Sequence, residues 1–255
     1  MGNAKGLVGF IGEIRAGKDT AERLLMGWIG KEMPGATLKK HRFSQILEDT
    51  LELFTAPTVN SLNEEAVARQ ALLRWGLPKT YADVRAVLDI MDGFRSCQGG
   101  RTRDPHAREN MQFLSMDMDA RVRRGALSFA MGERIKGDPS DIVVLNGLRW
   151  DSDVEMFFSV PNRVPILIGI TASEETRYRR ALLRTDEKTD EVGITLEEFR
   201  RLSAKPTETN IPRLLSAHST LIFRNEGVGE ETQKNLSVAM YGAAVFVKER
   251  LELQT

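Results

Sequence analysis

Between Gly12 and Thr20 the chain reads GEIRAGKDT: a glycine, four residues, then Gly17 and Lys18. Glycines at this spacing let a backbone turn tightly enough for successive N–H groups to converge on the oxygens of a phosphate. A helix starting directly after the loop adds the positive end of its dipole at the same place. Lys18 then reaches the β- and γ-phosphates of a nucleoside triphosphate, and Gly12, Ala16, Gly17, Lys18, Asp19 and Thr20 form the candidate nucleotide site. Asp19 stands where the usual pattern has the Ser or Thr that ligates magnesium. The metal shell must therefore differ: Asp19 contacts magnesium through water, or Thr20 serves after a slight change of register. Alternatively, Asp19 only favours the dipole of the helix it starts.

Two further groups of residues bear on the same chemistry. Proteins with such a loop usually end a second buried strand on an aspartate that holds the magnesium hydration shell. Here the run DIVVLNG places Asn146 there, an acceptor for metal-bound water that brings no charge, so Asp19 is the candidate for the missing carboxylate. Arg149, three residues on, lies past the carboxyl edge of the sheet, where it could grip an acceptor phosphate or pair with Asp151 or Asp153. Arg177, Arg180 and Arg184 recur at three-and-four spacing along one predicted helix. Like charges on neighbouring turns repel by a few tenths of a kcal/mol per pair. Such a face is explained by a polyphosphate meeting it, since arginine stabilises a phosphoryl group in flight; a solvated face balanced by Asp186, Glu187 and Asp190 is the alternative.

These residues need a scaffold, and the hydropathy pattern describes one. Apolar runs at Gly6–Gly12, Asp141–Gly147, Val164–Thr171 and Ser219–Gly227 read as strands buried on both faces, with a weaker fifth around His41–Ser44. Apolar residues at helical spacing follow the first run (Ala21, Leu24, Leu25, Trp28, Ile29) and close the chain (Leu236, Met240, Ala243, Val247, Leu251). Strand and helix alternate, which predicts an α/β, doubly wound parallel sheet covered on both sides. Residues 45–137 hold no convincing strand and read as a helical insertion, with helices at Glu64–Trp75 and Asn110–Met131 and an exposed Gly- and Arg-rich loop at Gly93–Arg108. Residues 173–213 read as a helical, arginine-bearing lid. Thr171 with Glu174, and Thr195 with Glu198, have the spacing of capping boxes at its two helix starts. The whole of 1–255 is read as a single domain carrying these two appendages.

Composition narrows the partners. Lysine and arginine total 36, as do aspartate and glutamate, so no global charge argues for nucleic acid or a membrane surface. A single cysteine, Cys97, rules out an internal disulfide framework and reads as an incidental thiol of a reducing compartment. The apolar runs are far shorter than the roughly 20 residues of a membrane helix. The opening MGNAKG carries Gly6 where a myristoylation signal wants Ser or Thr. These features predict a cytoplasmic protein, with a homodimer left open.

The assembled pattern resembles the P-loop deoxynucleoside monophosphate kinases and the related dephospho-CoA-kinase-like proteins. GEIRAGKDT is similar to that group's variant loop, RFSQILE (Arg42–Glu48) to its segment after the second strand with Gln45 in place of an acid, and NGLRWDSDVEMF to its strand-end signature. ETRYRRALLR and Asn225–Gly227 are similar to its lid helix and final strand turn. The resemblance implies a five-stranded parallel sheet with an acceptor-binding insert and an arginine lid, working with ATP and Mg2+. The expected activity is transfer of a phosphoryl group to a nucleoside or deoxynucleoside monophosphate, a small-molecule acceptor whose phosphate Arg149, Arg108 and Arg121 would hold. Lys18, Arg149, Arg177, Arg180 and Arg184 are the candidate catalytic residues, with Asp19 and Asn146 the water-mediated magnesium contacts. A monophosphate acceptor arrives ionised and needs no general base, and neither Gln45 nor Asn146 offers one. A dephospho-CoA-kinase-like enzyme is the runner-up. A non-enzymatic nucleotide-binding regulator is the reading that the uncharged Asn146 would favour.

Overall fold

The computed structural model describes residues 4–56, 59, 62–96, 108–183 and 194–254. They form two compact units, one of residues 1–41 with 139–255 and one of residues 42–138.

The first unit is built on a five-stranded parallel sheet: β1 (Lys5–Gly12), β2 (Leu38–Arg42), β3 (Ile142–Asn146), β4 (Arg163–Thr171) and β5 (Leu221–Arg224), in spatial order β2-β3-β1-β4-β5. β1 is central, paired in parallel with β3 (Phe10 opposite Asn146) and with β4 (Gly12 opposite Ile170). The chain passes from one side of β1 to the other between β3 and β4, so the sheet reverses its winding beside the carboxyl end of β1, the place where open α/β sheets bind ligands.

Both faces are covered at β1, β3 and β4, which is why these three read as continuous apolar runs; β5, expected from its sequence to be buried on both faces, is instead an edge strand of alternating burial with Ile222 51% exposed. Val8 and Phe10 of β1, Ile142 and Val144 of β3 and Ile166 and Ile168 of β4 point to one face. There they pack with α1 (Lys18–Glu32) through Leu25 and Ile29, and with α12 (Glu230–Glu252) through Met240, Ala244 and Val247. The two helices are pinned to each other by a hydrogen bond of 3.2 Å from Trp28 Nε1 to Ser237 Oγ. The other face carries α7 (Asp151–Ser159), whose Phe157 lies over Gly9, and α11 (Ile211–His218), whose Leu215 lies over Gly169. Between β4 and α11 come α8 (Glu174–Leu182), α9 (Leu196–Ser203) and the single turn α10 (Pro206–Thr209). The interval 173–213 thus ends inside α11, whose Ile211 and Leu214 are fully buried.

The second unit is helical among the described residues: α2 (Phe43–Thr55), α3 (Glu64–Arg74), α4 (Tyr81–Ser96), α5 (Arg108–Asp117), a π-turn (Met118–Val122) and α6 (Ala126–Lys136). Buried Trp75 donates to Thr50 Oγ1 at 2.9 Å. Asp49 accepts from Arg134 at 2.8 Å and from Gln45 at 2.7 Å.

Several boundaries differ from those the sequence pattern predicts. The extra strand is Leu38–Arg42, not His41–Ser44; it is an edge strand whose exposed side chains hide its alternation, and Phe43 already starts a helix. The helix expected over Asn110–Met131 is two helices, parted by the π-turn, extended Arg123 and Gly125, which takes φ +70; the loop expected at Gly93–Arg108 starts inside α4, which runs to Ser96, and ends on the first residue of α5, while 97–107 lie outside the described residues. Thr171 caps nothing, because β4 runs through it to pair with Arg224; Ser173 is the N-cap, accepting from Thr176 N. The box at Thr195 and Glu198 forms as its spacing predicts. No described helix is long and apolar enough to cross a membrane.

Candidate functional site

The loop from Gly12 to Gly17 leaves the central strand and enters α1 through two left-handed residues, Arg15 at φ +64 and Gly17 at φ +99. Glycine is required at both ends of the loop. A Cβ on Gly12 would lie 2.5 Å from Ile170 O, and one on Gly17 would lie 2.4 Å from Asn225 Nδ2. Arg15 has no such excuse: a left-handed L-residue is strained by about 1–2 kcal/mol, so the surroundings must hold it. The N-cap of α1 is Gly17, which has no side chain to cap the first turn, and Asp19 is the acidic residue in that turn. An uncapped first turn behind a loop of left-handed residues presents backbone N–H groups suited to an anion.

The loop is held from outside by donors to its carbonyls. Arg180 Nη1 donates to Arg15 O (3.2 Å) and Ala16 O (2.9 Å), its Nη2 to Asn225 O (2.9 Å) and its Nε to Gly227 O (3.1 Å). Buried Asn225 donates to Ala16 O at 2.9 Å, while its own N–H donates to Thr171 O at the end of β4. Burial pulls the Arg180 pKa below the ordinary arginine value, with Glu226 opposing.

Two ion pairs fix the earlier part of the loop. Arg177, buried, pairs with Glu13 at 3.0 Å, reaches Ile14 O at 3.4 Å and lies over the ring of Phe199. Burial raises the Glu13 pKa, Arg177 opposes the rise and Glu208 adds to it. Glu208, itself buried, accepts from Ile14 N at 2.8 Å and pairs with Arg149. Arg149 is therefore matched by a glutamate far along the chain, while Asp151 pairs with Arg213 and Asp153 accepts the backbone N–H groups of Arg149 and Trp150. Ile14 also packs into a small core with Ala181, Ile194 and Phe199, tying the loop to α8 and α9.

Beside the loop opens a cleft of about 360 Å³, lined among others by Arg15, Gly17, Thr20, Arg180, Thr232 and Gln233. At the neighbouring strand end, Asn146 Nδ2 donates to Asp19 Oδ1 (2.8 Å) and to Glu22 Oε2 (2.5 Å), and Glu22 also pairs with Lys40. Asn146 Oδ1 is buried and has no hydrogen-bond partner among the described residues. A buried acceptor next to the carboxylate of Asp19 fits the water shell of a divalent cation.

The first unit thus gathers Gly12, Ala16, Gly17, Lys18, Asp19, Thr20, Asn146, Arg149, Arg177 and Arg180 around one loop. Arg121 belongs to the second unit, where it pairs with Asp117 at 3.6 Å, and Arg108 opens α5 of that unit. Arg184 lies outside the described residues. Sequence reasoning missed Glu13, Glu22 and Glu208 as partners and Thr232 and Gln233 as cleft residues. Glu22 did leave a signal, since it interrupts the buried stripe that continues with Leu25 and Ile29. Glu208 left none, because nothing local marks the partner of a distant arginine.

No family model matches the chain, and no curated protein does. Among solved structures it is similar to shikimate kinase from Bacteroides thetaiotaomicron, at 11% identity and a TM-score of 0.46 over 94% of this chain and 98% of that one. Shikimate kinase from Acinetobacter baumannii, in complex with shikimate, gives 10% identity and a TM-score of 0.44 over 95% and 94%. Dephospho-CoA kinase from Campylobacter jejuni gives 13% and 0.34 over 97% of each chain. Likeness of this degree decides neither activity nor substrate.

Two expected outcomes follow from this geometry. Arg180→Ala removes the donor to Arg15 O and one of the two donors to Ala16 O, so it lowers unfolding stability by about 1–3 kcal/mol and weakens ADP binding; urea unfolding and calorimetry read both, and a variant altered in turnover alone would show that Arg180 is no clamp. Glu226 accepts from Thr176 (2.7 Å), Arg224 (2.9 Å) and Ser173 (2.8 Å), which together hold its carboxyl down at about 2. A depressed carboxylate stabilises the fold above its unfolded pKa, and that contribution is lost as pH falls through the folded value. Glu226→Gln is therefore less heat-stable than wild type at pH 7, and the gap closes between pH 4.5 and 2; a gap independent of pH would mean that the charge contributes nothing.

Proposed function

We propose that the protein is an ATP-dependent phosphotransferase acting on a small phosphorylated acceptor, a nucleoside or deoxynucleoside monophosphate. The observation that carries the reading is the loop itself: left-handed at Arg15 and Gly17, continuous with the uncapped start of α1, and set beside an open cleft. The triphosphate is assigned to the N–H groups of the loop and to Lys18, and the nucleoside to the cleft lined by Arg180, Thr232 and Gln233. Magnesium would be held through water by Asp19 and Asn146, and it supplies neutralisation of the charge that develops as the phosphoryl group moves.

Positioning and neutralisation suffice for transfer to a phosphate, because the attacking oxygen is already ionised. Positions 45 and 146 carry amides, and the carboxylates of Glu13 in the loop and Glu208 in α10 are engaged with Arg177, Arg149 and Ile14 N. Among the described residues Glu13 and Glu208 are thus occupied and Asp19 is assigned to the cation, which favours the monophosphate over dephospho-CoA. Arg149, Arg177 and Arg180 must exchange their present partners to touch a phosphate, so their first role is to frame the loop.

The test is a panel of nucleoside monophosphates, dephospho-CoA and small phosphorylated metabolites with magnesium–ATP, following ADP release against an acceptor-free control. Stimulation by a monophosphate is expected; stimulation by dephospho-CoA alone would reassign the acceptor. In the same preparations magnesium–ADP at a hundred times its Kd stabilises wild type by about 2.7 kcal/mol, and Lys18→Ala loses most of that gain with its fold intact. Equal gains in both proteins would remove the loop from nucleotide binding.

A further inference from the structure

We infer that Glu22 supplies the carboxylate that positions the nucleotide's divalent cation, taking over from the strand end at residue 146. The inference rests on the nucleotide reading given above. Glu22 lies in the buried stripe of α1 with a side chain only 1% exposed, between Ala21 and Leu25, where an apolar residue would pack without cost. A buried carboxylate is retained at the expense of stability unless something uses its charge.

Its surroundings are arranged around that charge. Asn146 offers two N–H groups, one to Asp19 at 2.8 Å and one to Glu22 at 2.5 Å, and this fixes which end of its amide is oxygen. An aspartate at 146 would bring three carboxylates within hydrogen-bond distance of one another. Asparagine lets two stand together and keeps Oδ1 over as an acceptor. Oδ1 is buried, Asn146 is 8% exposed, and no described group donates to that oxygen. Lys40, on the edge strand and 41% exposed, pairs with the other oxygen of Glu22. These described contacts join two carboxylates, one ammonium and one acceptor that no described group fills, which suits a hydrated divalent cation carried in with the nucleotide phosphates. Glu22 orients the waters of that cation through its shell and does not touch the reacting atoms, so it is a positioning residue.

The experiment titrates Mn2+ by electron paramagnetic resonance into the full chain with saturating ADP, using wild type, Glu22→Gln, Lys40→Met and the double variant Glu22→Gln/Asn146→Asp. Calorimetry with ADP and EDTA gives metal-free nucleotide affinity for each. Glu22→Gln weakens Mn2+ by about 10- to 100-fold with metal-free ADP affinity unchanged. The double variant, which returns a carboxylate to residue 146, recovers most of that loss. Lys40→Met frees Glu22 from its ammonium and tightens Mn2+, and this arm decides the matter if Glu22→Gln fails to fold. Unchanged Mn2+ affinity in Glu22→Gln, no recovery in the double variant, or no response in Lys40→Met would overturn the inference. Absence of metal-free ADP binding in wild type would instead overturn the nucleotide reading on which it stands.

Discussion

A loop that turns its N–H groups toward one point must turn carbonyls away from it, and those carbonyls need donors of their own. The site depends on that constraint. Here the carbonyls of Ile14, Arg15 and Ala16 are met by Arg177, Arg180 and Asn225. Arg180 is well suited to the task because its planar fork reaches the loop and the turn after β5 together, at Asn225 O and Gly227 O. The left-handed backbone at Arg15 is held by these contacts, so the strain of the loop and the placement of α8 are one problem.

The same contacts relate the loop to the rest of the first unit. Glu226 joins the start of α8 to the turn after β5, Glu13 and Glu208 join the loop to Arg177 and Arg149, and Asn225 joins it to the end of β4. Nearly every charged group near the phosphate loop thus has a partner before any ligand arrives. These pairs hold the loop in its left-handed conformation, so the amides at the start of α1 are oriented before an anion arrives.

The arrangement was partly legible in the sequence. Strands buried on both faces show as apolar runs, and Gly12 and Gly17 show because side chains cannot occupy those backbone positions. The exposed edge strand Leu38–Arg42 escaped because Lys39, Lys40 and Arg42 all meet solvent and only His41 is buried, and the break at Gly125 escaped because helical spacing continues across it. The arginines of α8 were visible as a row, but their roles were not. Their partners are backbone carbonyls and a distant glutamate, and carbonyls have no letter in a sequence. Arg149 illustrates the same limit: Asp151 and Asp153 are its neighbours in the chain, while the fold brings it Glu208.

The central claim is that the backbone amides at the start of α1 receive a nucleotide phosphate, and the most direct measurement is the amide 1H–15N spectrum of the full chain titrated with ADP. The account predicts that the largest shifts fall on Ala16 to Thr20, with a second set at Gly229 to Gln233 along the cleft. Saturation with shifts confined to other residues, or no shift at millimolar ADP, would contradict it.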